Sequence, residues 1–206
     1  MVVIIDYKVG NITSIQKMLR KAGCVDAIIS CCEDDIKKAT KLILPGVGHF
    51  DYGMNKLKES GLIDILNKRV LEDKIPVLGI CLGAQLLTRG SEEGNEKGLG
   101  WIKADTVKFD KSKLRKELKI PNMGWLDVKF KNEAPLFNNM PENSRFYFVH
   151  TYHLKCDIQK DIAVTTEYGY EFTAGVIQNN IMGMQFHPEK SHKYGMQLLS
   201  NFINNY

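Results

Sequence analysis

Cysteine, histidine and a carboxylate occur in this chain at spacings that suit nucleophilic acyl chemistry. Gly79-Ile80-Cys81-Leu82-Gly83 follows the apolar run Pro76 to Leu78 and precedes a helix-forming segment. That is the strand, sharp turn, helix context of a nucleophile elbow, with cysteine where serine hydrolases place serine. The flanking glycines have a steric reason: side chains two positions either side of a strained nucleophile would clash as the strand turns into the helix. The chain's own composition gives this pattern about 0.03 occurrences by chance. A buried, unreactive cysteine in a tight turn is the competing reading. A free thiol, with a pKa near 8.5, is only a few per cent thiolate at neutral pH, so it needs a helix N-terminus and a base.

Of His49, His150, His153, His187 and His192, only His187 has neighbours that would orient it. Pro188 disfavours the helical region for His187, and in an extended His187-Pro188-Glu189 segment the first and third side chains share a side. Glu189 would then hold the imidazole and stabilise the imidazolium formed when the thiol ionises. Taken alone, His-Pro-Glu also fits a solvent-facing turn. An oxyanion needs backbone donors. The amide of Leu82 is one candidate, and the Pro45-Gly46-Val47-Gly48 turn can supply the other from Val47 or Gly48. Its glycines would equally suit a plain strand-to-helix turn.

Three β-branched runs in the first half alternate with helix-period segments: Val2 to Ile5 then Ile12 to Lys21, Leu42 to Leu44 then Met54 to Val70, and Val77 to Ile80 then Ala84 to Thr88. This pattern predicts a parallel sheet covered on both faces. From about Leu99 the texture becomes strand-like: Thr106 to Phe109, Val128 to Phe130, Phe146 to Leu154, Ile162 to Glu167, Thr173 to Ile177 and Ile181 to Phe186, with a closing helix from His192 to Ile203. The expected class is α/β: one domain over residues 1–206, an open, doubly wound, mostly parallel sheet with added antiparallel strands. Ligands of such sheets sit beyond the carboxyl ends of the parallel strands, where the glycine turns at Gly10, Gly46 and Gly79 to Gly83 fall. No turn matches a dinucleotide fingerprint or a P-loop, which argues against a nucleotide site.

With 206 residues, 44% hydrophobic and 25% charged, the composition is that of a globular protein. The net charge of +4 argues no nucleic-acid partner, although Lys108, Lys111, Lys113, Arg115, Lys116 and Lys119 crowd one segment that reads as a solvated face. No apolar stretch approaches a membrane span, and no signal segment is visible. Five cysteines at irregular spacing suit a reducing cytoplasm rather than a disulfide framework, and none has zinc-ligand spacing, so no metal is expected.

GICLGAQLL at 79–87 with HPEKS at 187–191 resembles the class I glutamine amidotransferases. Further strings resemble one branch, the glutaminase subunits of imidazole glycerol phosphate synthases: DYKVGN at 6–11, LPGVGHF at 44–50, SEEG at 91–94, IPNMGW at 120–125, YFVHTY at 147–152 and YGYEFTAGVIQNNIMGMQFHPEKS at 168–191. The resemblance implies that Cys81 attacks the carboxamide of L-glutamine to form a thioester, with His187 as acid and base, Glu189 orienting it, and no cofactor. It implies that Gly48, Gln85, Glu93, Thr151 and Tyr152 contact the glutamine. It also implies a heterodimer in which ammonia passes to a (β/α)₈ cyclase in histidine biosynthesis, with Asn11, Trp125 and Lys190 facing that partner. Lys8, Asn122 and Leu126 depart from the branch, standing where glycine, histidine and asparagine are usual. They leave room for a paralogue that feeds ammonia to amidation of surface-glycan sugars. A partner-independent γ-glutamyl hydrolase and a binding module with a vestigial triad are the alternatives from other classes.

Overall fold

A computed structural model describes residues 1–206. The parallel half is built from β1 (Val2–Ile5), β2 (Ile28–Ser30), β3 (Lys41–Leu44) and β4 (Val77–Ile80), with α1 (Ile12–Lys21), α2 (Glu33–Lys38), α3 (Phe50–Glu59), α4 (Ile63–Asn67) and α5 (Leu82–Leu86) between and after them. A π-helical turn at Lys68–Glu72 extends α4. The second half contributes β5 (Ala104–Lys108), β6 (Asn122–Phe130), β7 (Arg145–His150), β8 (Tyr152–Cys156), β9 (Ile162–Tyr168), β10 (Tyr170–Gln178), β11 (Ile181–Met184) and the closing α6 (His192–Asn205). No helix is long and apolar enough to cross a membrane.

The main sheet has the order β2-β1-β3-β4-β11-β10-β9-β6-β7, and β8 joins β10 to β5. Pairings from β2 through β11 are parallel, and those from β11 onward are antiparallel. The expected mixed sheet is therefore present, with β11 as the strand that belongs to both halves. Side chains of β1 show why both faces are covered: Val2 and Ile4 join one core with Ile15, Leu19, Leu198 and Phe202, while Val3 and Ile5 join the other with Leu57, Leu66 and Val70. A strand buried on both sides must read as a continuous apolar run, as this one does.

The order in which strands are added reverses at β1, since β2 lies on one side of it and β3 on the other. The crevice at such a switch opens at the carboxyl ends of the strands. The loops after β1, β3 and β4 meet there. Tyr7, wholly buried, donates its hydroxyl hydrogen to the Pro45 carbonyl, and a Cβ on Gly10 would lie 3.0 Å from that of Pro45.

Several expected elements differ in extent. The helix expected over Met54 to Val70 is broken at Ser60 and Gly61, where Gly61 takes φ +70° and no L side chain is comfortable. Phe146 to Leu154 is two strands, because the chain turns at Thr151 and β8 leaves β7 to pair with β5. The strand read at Val128 to Phe130 begins six residues earlier, at Asn122.

Candidate active site

Cys81 follows β4 and caps α5 with φ 53° and ψ −113°, a strained conformation for a residue with a side chain. Its N–H is held by the Met184 carbonyl (2.8 Å), and its own carbonyl accepts from Gln85 N (3.1 Å). The glycines around it are required by backbone approach. A Cβ at Gly83 would stand 1.9 Å from the Leu44 carbonyl oxygen, and one at Gly79 would stand 2.8 Å from the Cα of Ala84. A Cβ at Gly46 would lie 2.6 Å from Gly83 N. The Pro45-Gly46-Val47-Gly48 turn is thus pressed directly onto the elbow. Val47 is exposed and Gly48 takes φ +101°, so this rim faces open space.

His187 follows β11, which pairs with β4 in parallel register, Met184 opposite Ile80. Adjacent strands therefore deliver the cysteine and the imidazole to the same edge. His187 Nδ1 and Glu189 Oε1 are 2.8 Å apart, both side chains almost wholly buried. The sequence reading placed Glu189 there by extended-strand alternation. The structure corrects the geometry: Pro188–Lys190 form a 3₁₀ turn that folds the carboxylate back onto the ring. Ser191 fixes this turn by donating from Oγ to the His187 carbonyl (2.6 Å) and accepting from Tyr147 N (3.0 Å).

The ring's other nitrogen, Nε2, is buried and has no hydrogen-bond partner within the resting chain. Burial pulls the His187 pKa down, but the negative charge of ionised Cys81 and the Glu189 carboxylate outweigh it and carry it up to about 10. Ionisation of the sulfur therefore favours an imidazolium beside it. The opposite holds at His150, where burial dominates and lowers the pKa to about 3, so this ring stays neutral. Tyr7 is pushed well above the ordinary phenol range by burial and by the Cys81 charge, which keeps it a protonated neighbour.

These groups open into a cavity of about 300 Å³ lined by Val47, Gly48, Cys81, Leu82, Gln85, Glu93, Pro121, Val149, His150, Thr151, Tyr152 and His187. Every residue expected to touch substrate or oxyanion lies on its wall. Glu93 arrives on a loop tied to the first turn of α3. Its Oε2 accepts from Phe50 N (2.8 Å), and Asp51 accepts from Asn95 N and Glu96 N. A Cβ at Gly94 would overlap the Asp51 carboxylate at 2.0 Å. Gln85, one turn beyond Cys81, is 5% exposed, and its Nε2 donates to the Tyr152 carbonyl and to Gln185 Oε1, both at 3.1 Å.

None of the three residues expected to face a partner lines the cavity. Trp125 is half-buried on β6, stacked on His192 (5.5 Å between centroids, 7° between planes) and edge-on to Tyr147. Lys190 is exposed, with its Nζ 5.7 Å from the centre of the Tyr147 ring. Asn11 precedes α1 and is partly exposed. Tyr147 pairs with Trp125 across β6–β7 and bridges to His187 on its other side, so one residue separates this surface from the base. Sequence reasoning did not single out Tyr7, Gln185 or the site role of His150. A buried polar residue inside an apolar run was the available signal for Gln185.

The profile of the family described as "Glutamine amidotransferase class-I" matches residues 3–205. The chain is 60% identical over 203 residues to "Imidazole glycerol phosphate synthase subunit HisH 2" of Methanococcus maripaludis, covering 98% of each. It is 50% identical to the protein of the same name from Pseudomonas aeruginosa, again covering 98% of each. Among solved structures, "Structure of PurLQS from Thermotoga maritima" superposes with a TM-score of 0.75 at 18% identity, covering 99% of this chain and 97% of that one.

Proposed function

Because the chain belongs to the class I glutamine amidotransferases, we propose that it is the glutaminase subunit of an imidazole glycerol phosphate synthase, releasing ammonia from L-glutamine for a cyclase in histidine biosynthesis. The observation that carries the reading is the pairing of strained Cys81 with a buried His187–Glu189 pair at the mouth of a small cavity. The Cys81 thiolate attacks the carboxamide carbon of glutamine. Backbone N–H groups of Leu82 and of Val47 or Gly48 receive the oxyanion that forms. His187 gives its Nε2 proton to the departing nitrogen, the carbon–nitrogen bond breaks, and ammonia leaves a γ-glutamyl thioester on sulfur. The neutral imidazole then takes a proton from water. The oxygen attacks the thioester, glutamate departs, and the thiolate is restored. Glu189 holds Nδ1 throughout and stabilises the charged ring.

Glu93 has its second carboxylate oxygen left to meet the substrate's α-ammonium, while Gly48, Gln85, Thr151 and Tyr152 contact the rest. The geometry of the rim supports a partner that covers the cavity, since ammonia escaping into water is protonated and loses its nucleophilic lone pair. In this proposal Asn11, Trp125 and Lys190 meet that partner. Purified protein should release glutamate slowly alone and faster with the cyclase; undiminished turnover by Cys81→Ala would overturn the reading.

A second reading keeps the chemistry and changes the acceptor to an amidating synthase for surface sugars. It is favoured by Lys8 and Leu126, which depart from the branch near the proposed partner face. Stimulation of glutamate release by a sugar amidotransferase and not by a histidine-pathway cyclase would select it.

A further inference from the structure

An unbroken series of buried and part-buried hydrogen bonds runs from the start of β6 to the catalytic sulfur, and its polarity can be worked out from one end. The Tyr152 carbonyl can only accept. It receives His150 Nδ1 at 2.8 Å, so that nitrogen carries the ring's hydrogen and Nε2 of the neutral ring is an acceptor. Asn122 Nδ2 supplies that acceptor at 3.1 Å. The same carbonyl receives Gln85 Nε2, which fixes the Gln85 amide with its nitrogen inward. The second hydrogen of that nitrogen goes to Gln185 Oε1, which leaves the Gln185 Nε2 to face Cys81 Sγ, at 3.8 Å. Asn122, His150, Gln85, Gln185 and Cys81 are all buried, Gln185 completely.

We propose that Gln185 is a positioning residue for the nucleophile, donating an N–H to the sulfur and locked in that orientation by the Gln85, Tyr152 carbonyl, His150 and Asn122 series behind it. A sulfur anion gains from any fixed donor in a dry site, whereas a thiol gains little, so the contact favours the ionised form and aims its lone pairs toward the cavity. An apolar residue at this place would leave Gln85 with a spare hydrogen and free to turn its amide. The series explains the departure at Asn122 in physical terms: the position must offer an N–H to His150, and a side-chain amide does so. The strand that carries Asn122 also carries Trp125.

The proposal rests on Cys81 being the nucleophile, and alkylation tests it without requiring glutamine turnover. Iodoacetamide labelling of Cys81, followed by peptide mass spectrometry as a function of pH, should show the midpoint of labelling rising by about one unit in Gln185→Met, which keeps the length of the side chain. At any pH well below the midpoint that is about a tenfold loss of labelling rate. The other titratable groups at the sulfur, Tyr7 and His187, are unchanged in this variant. Glutamate release should fall by a similar factor in kcat with KM held. Gln185→Asn, which keeps the amide but shortens its reach, should move the labelling midpoint in the same direction and serves if the methionine variant does not fold. A wild-type midpoint in either folded variant would overturn the proposal. A shifted midpoint in a wild-type background that releases no glutamate, alone or with the cyclase, would overturn the glutaminase reading and leave this one standing.

Discussion

His187 and Glu189 show how one side chain sets the charge of another. Glu189→Gln keeps the size of the group and removes its charge, so the imidazolium loses one of the two supports that outweigh its burial. The sign follows from the folded value lying above the unfolded one: stability contributed by the protonated ring is fully present below about 6.5 and is lost as pH rises toward about 10. Urea unfolding should therefore show the wild type losing more stability between pH 7 and 10 than Glu189→Gln does. In an NMR titration the His187 midpoint should move down in the variant, and kcat should drop by about 10²-fold. The triad was legible in the sequence because a cysteine between spaced glycines and a histidine before proline are local patterns. Gln185 and the His150–Asn122 pair were not, since a buried amide has no local signature and its partners are distant in the chain, 100 residues away for Gln85 and Gln185.

Between elements, the close approach of the β3 and β4 turns governs the elbow. Gly83→Ala would drive a Cβ into the Leu44 carbonyl, which is backbone and cannot rotate away. A cost of at least about 3 kcal/mol is expected. For a chain of this size that lowers Tm by roughly 6–12 °C, measurable by calorimetry. Glutamate release should be lost even below that temperature, because the oxyanion turn must shift to admit the methyl. The strands buried on both faces were legible as apolar runs, and β1 and β4 were read to the residue. β2 and α2 were missed. Ile28–Ser30 is only three residues long, and Glu33–Lys38 buries a single side chain, Ile36, so neither carries a measurable period. The early part of β6 was hidden because Asn122, Gly124 and Asp127 interrupt its apolar alternation, as suits a strand whose neighbour β7 lies at the end of the sheet.

Across the whole molecule, the proposed partner face connects to the cavity through Tyr147, which pairs with Trp125 and bridges to His187. Trp125→Ala should weaken association with the cyclase by about 30-fold, the loss of about 2 kcal/mol typical of an aromatic anchor. Calorimetric titration of the two subunits would measure it. The basal release of glutamate by the isolated chain should be unaffected, because Trp125 packs on His192 and Tyr147 and does not line the cavity. What the sequence could not supply at this scale was the switch across β1, because strand order is set by long-range pairing.

The pairing of β4 with β11 has one more implication. Sulfur and imidazole both leave the end of one ladder, whose last rung pairs Ile80 with Met184, so their separation is set by the hydrogen-bond spacing of two neighbouring strands. Lengthening any peripheral loop leaves that interval untouched. Descendants of such a chain are free to exchange the recipient of the nitrogen while the blade that severs it keeps its gauge.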